Sequence, residues 1–334
     1  MPLKDKLINK LFCHKKQLTC IYLRIFTILL LLFIKKSGTE GMATFNIRHT
    51  TLYRYNGDVV DNRNTIKLYP RPHNHQQVIS HNLYITANPI VTTNQDALGN
   101  TFGVFTILIY HRELSISSDL LVSTFPHNIA EEVSKTSRSW AELDALAADN
   151  NFAVFLNPKN YIAHSGINAL VNSFNVRSKD PFDVIRELNH YVFANFSYIP
   201  NITTVTTTLN EVWNLKAGIC QDFSHLLIAM LRLANIPARY ISGYICPNKN
   251  GMRGDGASHA WVEAFLPNYG WLGIDPTNDC FAEDKHVRLA IGRDYNDICP
   301  VKGSFTGNSS QPDMSVSVSV SHDATEPTQV QSQG

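Results

Sequence analysis

Residues 218–244 read GICQDFSHLLIAMLRLANIPARYISGY, and residues 258–278 read SHAWVEAFLPNYGWLGIDPTN. The first stretch opens on a glycine, an isoleucine and a cysteine. It continues with Phe223, Leu226, Leu227, Met230 and Ala234 at the spacing of one buried helical stripe. Pro237 stops that helix, because proline has no N–H to offer it. Cys220 therefore falls in the first turn, where unpaired backbone N–H groups and the helix dipole favour negative charge. The thiolate is the reactive form of cysteine. Gly218 lets the chain bend tightly ahead of it, so that the sulfur can face a cleft.

Strands are expected at Ala238–Ile245, Ser258–Phe265 and Trp271–Asp275. The short turn Leu266–Gly270 makes the last two an antiparallel hairpin and sets His259 nearly opposite Asp275, where side chains stand about 5 Å apart. An aspartate so placed holds an imidazole in one tautomer and stabilises its cation, leaving the other ring nitrogen for the sulfur. Cys220, His259 and Asp275 are thus the candidate catalytic residues. Each alone has a plainer reading, and buried core cysteine is the common fate of a free thiol. Asp222 reads as a helix cap, and His225 as pointing away from Cys220. Trp261 and Trp271 read as core or cleft wall, and Glu263 as a partner for Arg239. Cys246, Cys280 and Cys299 show no pairing pattern.

Composition narrows the classes. The chain has 334 residues, 44% apolar and 17% charged. That excludes a disordered chain, a coiled coil and a polybasic tail, and the length favours two domains. The 29 basic and 28 acidic residues nearly cancel, so no bulk field recruits nucleic acid. Six cysteines without a C-x-x-C pair argue against a disulfide scaffold and a structural zinc. No cofactor and no metal are expected. His73 and His75 could hold a metal but read as a solvated loop.

Residues 1–42 stand apart. Lysines flank the apolar run 25–34, which as a helix spans about 15 Å, half a bilayer core. It reads as a misassigned start, an export signal or a weak anchor over 21–34. Translation from Met42 makes the protein cytoplasmic; otherwise it is exported or membrane-anchored. Residues 43–125 read as a small β sandwich or barrel, with Asn56-Gly57 as a hairpin turn. Residues 126–322 follow as the catalytic part, with a helix at 137–149, a helix opened by Pro181 and a late strand at 314–320. Residues 246–257 form a loop that could gate the cleft, and 323–334 read as a disordered tail.

The two quoted stretches resemble the transglutaminase-like superfamily, and more narrowly its bacterial members. HTTLYRY (49–55), LYPRP (68–72) and DALGN (96–100) resemble the N-terminal region of those proteins. GRDYNDICPVKGSF (292–305) resembles the segment after their catalytic aspartate, so the likeness covers about 43–320. The resemblance implies an α+β fold: a papain-like core of helices packed on an antiparallel sheet, preceded by a small all-β domain. It implies Cys220 as nucleophile, His259 as general base and acid, and Asp275 as orienter. The substrate would be an amide bond of a protein or peptide, and a thioester would be resolved by water or by an amine. The Cys220 N–H is one oxyanion donor. The animal enzymes' tryptophan lies much further upstream than Trp213, so that role is not carried over. A non-catalytic binding module that keeps the fold is the alternative, and an anchored cell-envelope factor a third.

Overall fold

The computed structural model describes residues 42–136, 138–157, 165–246, 252–254, 258–309, 312–322 and 331–333. The expected leader (apart from Met42) and most of the expected gating loop lie outside the described residues. Ala43–Gly334 forms one compact unit.

The first strands are β1 (Ala43–Ile66), β2 (Gln76–Ile85), β3 (Thr92–Gln95), β4 (Thr101–Ile107) and β5 (His111–Thr124). β1 is the hub of an eight-stranded sheet. Its buried positions Phe45, Ile47, Tyr55, Val59 and Ile66 anchor one core. The expected hairpin at Asn56-Gly57 is not formed. β1 runs straight through, and its pairing with β5 shifts register between Arg54 and Val59. Strands from far along the chain bind β1 on both sides of this point, and that long-range pairing overrides the local turn preference.

Two short strands, β6 (Ser197–Tyr198) and β7 (Ala217–Gly218), pair in parallel. Then come β8 (Ala238–Ile245), β9 (Ser258–Leu266), β10 (Gly270–Asp275), β11 (Cys280–Phe281) and β12 (His286–Gly292). They form a five-stranded sheet in the order β11-β10-β9-β8-β12, with each neighbouring pair antiparallel. The Cys220–Leu233 helix lays Phe223, Leu226, Leu227 and Met230 into a core shared with Ala260, Val262 and Ala264 of β9. The Pro181–Asn195 helix closes that core with Ile185, Leu188 and Val192. Asp180 caps it through the Phe182 N–H, and Pro181 fills its first turn, where no N–H is needed. The expected helix at 137–149 is shorter, Trp140–Ala145 followed by one 3₁₀ turn.

The last strands are β13 (Val301–Gly307), β14 (Asp313–His322) and β15 (Gln331–Gln333). Only a strand at 314–320 was expected here, within the catalytic part; both β13 and β14 form, and both pair with β1. The chain thus returns to its first sheet, and the expected boundary at 125/126 does not divide it in two. The tail expected to be disordered carries β15 on β14, while 323–330 and Gly334 lie outside the described residues. The two sheets also share a core, since Tyr244, Val287 and Leu289 of the second, with Cys246 just after β8, pack among the side chains of the first.

β12 is an edge strand, and two carboxamides of the first sheet cover it, one from the start of β2 and one from the loop before β4. Gln76 bonds both the N–H and the carbonyl of Arg288, at 2.7 and 2.8 Å. Asn100 does the same to Ile291, at 2.9 and 2.7 Å. Each amide acts as one residue of a missing strand. Asn100→Ala strands a buried N–H and carbonyl, at about 1–3 kcal/mol per unmade group. The urea midpoint should fall, with the slope of the transition unchanged.

Candidate active site

Cys220 opens its helix as expected, but Gly218 serves a different end. A side chain there would place Cβ 2.8 Å from the Asp222 carboxylate. The glycine is therefore room for the cap. Asp222 Oδ2 accepts from the Ile219 N–H at 2.9 Å and from the Thr203 hydroxyl at 2.6 Å, fixing the turn that presents Cys220. Burial raises the Asp222 pKa, and these two bonds oppose the shift. The Cys220 side chain is partly exposed at the edge of the helical core.

His259 and Asp275 are both buried, and Nε2 of the imidazole lies 2.9 Å from Oδ2 of the carboxylate. The register pairs Ile274 with Val262, so the two residues are diagonal neighbours, not directly opposite ones. The carboxylate is fully engaged. Oδ2 also accepts from Asn278 Nδ2 at 2.8 Å and faces His286 Nε2 at 3.2 Å, and Oδ1 accepts from the Thr277 N–H at 2.8 Å. Burial alone opposes ionisation of Asp275, but the His259 cation and the two imidazole hydrogen bonds hold its carboxyl far below the usual range. Burial likewise opposes a charged His259. The Asp275 carboxylate, and after it Cys220, overcome this and push the imidazole up to about 10.

With Nε2 committed to Asp275, Nδ1 is the nitrogen left for the thiol. It makes no complete hydrogen bond, and Cys220 is near enough to stabilise the charged ring. Gly254 covers the same nitrogen. It has φ +79°, and a Cβ there would stand 3.1 Å from Nδ1. Gly254→Ala should therefore strain the left-handed backbone and push on the imidazole, costing about 1–2 kcal/mol in conformation alone. A tenfold or greater fall in Cys220 reactivity, with the fold retained by circular dichroism, is the expected result.

Three neighbours carry no local signal in the sequence. Asn278 clamps the segment beside Gly254, accepting from the Arg253 N–H at 2.7 Å and donating to the Arg253 carbonyl at 3.2 Å. His286 arrives from β12. Tyr198 arrives on β6, which pairs with the Ala217–Gly218 strand just before Cys220. Burial, then the Cys220 and Asp275 charges, push its hydroxyl up to about 12, so it remains a donor.

Nitrogen and oxygen atoms of His259, Asp275 and His286 lie within 4.8 Å of one another, a set that could hold a metal. Both ring nitrogens converge on Oδ2 itself, however. At 2.9 and 3.2 Å these contacts are hydrogen-bond distances, at which the oxygen accepts a proton from either ring. His225 bonds the Tyr295 N–H through Nε2 at 3.3 Å, away from the cluster. Arg239 pairs with Glu263 at 2.6 Å. His75 stacks on His127, with ring centres 3.9 Å apart. Among the described residues no helix is long and apolar enough to cross a membrane.

Residues 168–276 match the transglutaminase-like superfamily, and residues 45–123 match the bacterial transglutaminase-like N-terminal region. An uncharacterized protein of Mycobacterium tuberculosis is 32% identical over 297 residues, covering 84% of this chain and 93% of that one. A protein-glutamine gamma-glutamyltransferase of Pseudomonas aeruginosa is 28% identical over 161 residues, 47% of this chain and 22% of that protein. A solved structure of a candidate cysteine protease from Cytophaga hutchinsonii shares the fold, with TM-score 0.67 and 21% identity, over 86% of this chain and 93% of that one. Fold, motifs and a likeness over 84% of the chain agree: the chain belongs to the transglutaminase-like superfamily, in the form that carries the bacterial N-terminal region.

Proposed function

We propose that this protein is a thiol enzyme acting on amide bonds of peptides or proteins. The observation that carries the reading is the buried His259–Asp275 pair, whose second ring nitrogen is left beside a thiol at a helix N-terminus. Cys220 Sγ, having given its proton to His259 Nδ1, attacks the amide carbon. The carbonyl oxygen becomes an oxyanion, for which the Cys220 N–H and the Tyr198 hydroxyl are the donors. Loss of one such donor typically costs about 10²–10³-fold. Collapse expels ammonia or an amine, which takes the proton back from His259, and leaves a thioester on Cys220. Water or a second amine, deprotonated by His259, then attacks the thioester carbon and frees the thiol. The glutamine carboxamide named for the Pseudomonas relative is the first acyl donor to try, with and without a primary amine.

Iodoacetamide at near-neutral pH tests the reading. Cys220 should alkylate faster than buried Cys246 and faster than Cys299, whose thiol is 3.2 Å from the Val301 carbonyl. His259→Ala should slow the Cys220 reaction. Labelling of Cys220 no faster than the other two would favour a binding module that keeps only the fold.

A further inference from the structure

A second polar cluster lies along β9 from His259. Period-two alternation puts Trp261 and Glu263 on the same side of the strand as His259. Glu263 is fully buried between two guanidiniums, with Arg239 2.6 Å from Oε2 and Arg288 on Oε1. Arg239 also stacks over Trp271, 4.0 Å from the ring centre. A third guanidinium comes from the first sheet's loop. The Gln76 amide donates to the carbonyls of both Arg71 and Arg288, at 3.0 and 2.8 Å, so these two backbones run side by side. Arg71 Nη1 donates to the Leu98 carbonyl at 2.6 Å. Leu98 packs on Ile241, Trp261 and Ile291, in the rows next to the Arg239–Glu263 pair.

Arg71, Arg239 and Arg288 thus act on one another, with Glu263 between the last two; Asp96, the acid that acts on Arg71, is itself paired with Lys67 at 2.7 Å, so the group keeps an excess of two positive charges. Among the described residues Arg71 makes no ion pair, and the buried Nε of Arg288 has no acceptor. The Arg239 and Arg288 side chains are 15% and 11% exposed, so the cluster is nearly dehydrated yet reachable from solvent. Burial, then Arg239 and Arg71, push Arg288 down to about 9. The His73 pKa is lowered too, first by burial and then by Arg288. Partly dehydrated charge of one sign, with unspent N–H donors, calls for a counter-ion.

We propose that Arg71, Arg239 and Arg288 form a binding site for a doubly charged oxyanion of the phosphate type. Such an ion matches the charge excess, and its oxygens suit the planar guanidinium fork. The site is separate from the reaction proposed at Cys220 and does not depend on it.

The test is thermal unfolding of the full chain at neutral pH, with sodium phosphate compared with sodium chloride at matched ionic strength. A ligand of the folded state raises the midpoint with the logarithm of its concentration, here by about 2–4 °C per tenfold above Kd. Arg71→Gln should abolish that rise. Should Arg71→Gln fail to fold, Arg71→Lys keeps the charge, loses the fork and should weaken the phosphate response about tenfold. O-Phosphoserine separates the sources: a rise at lower concentration assigns the site to a phosphate carried on a larger molecule, and an equal or later one to the free ion. Midpoints that follow ionic strength alone overturn the site, as does a phosphate response undiminished in the folded Arg71 variant.

Discussion

Cys220→Ala is expected to remain folded and to lose turnover by roughly 10⁴–10⁶-fold, the usual cost of deleting a nucleophile from a catalytic set. The fold should survive because the helix start does not depend on the sulfur. Asp222 holds the turn through Ile219 and Thr203, and the Ser224 hydroxyl bonds the Cys220 carbonyl. Ammonia release from a glutamine peptide, read beside a circular dichroism melt, separates chemistry from folding. Turnover within tenfold of wild type would remove the thiol from the reaction.

Asp275→Ala is expected to lose both activity and stability. It leaves His259 Nε2, His286 Nε2, Asn278 Nδ2 and the Thr277 N–H facing a buried gap. Removing one member of a buried pair typically costs about 3–5 kcal/mol. Asp275→Asn keeps the shape but turns an NH₂ toward groups that need an acceptor. It should fold better and still lose about 10⁴-fold in rate. The pH dependence gives the sign. His259 is raised from 6.5 to about 10, so its contribution is complete below 6.5 and is lost as pH climbs through about 10. Asp275 is lowered from 3.8, so its contribution is complete above that value and is lost in acid. The wild-type melting midpoint should therefore decline on the alkaline side. In Asp275→Asn that decline should largely vanish, because the anion that raised His259 is gone.

The parts of the site legible in sequence were those with a local signature. Cys220 stood at the head of a strongly periodic helix, and His259 and Asp275 flanked one short hairpin. The register fell two residues from the expected pairing, yet the side chains still met, because diagonal neighbours lie within reach of a long imidazole. Tyr198, His286 and the Asn278 clamp were not legible as a group. They come from β6, β12 and the turn after β10; only the tertiary fold brings His286 and Asn278 to the Asp275 carboxylate and sets Tyr198 beside Cys220.

The sequence by itself determined the helix that carries Cys220, the hairpin that carries His259 and Asp275, and the family they belong to. Periodicity, capping and turn chemistry act within a few residues and leave their mark in the order of side chains. Tertiary structure alone decided that β1 ignores Asn56-Gly57, that β13 and β14 return to the first sheet, and that Gln76 and Asn100 close the edge of the second. Those outcomes rest on hydrogen bonds between residues up to about 280 positions apart, and such pairings outweigh a local turn preference once enough of them form together.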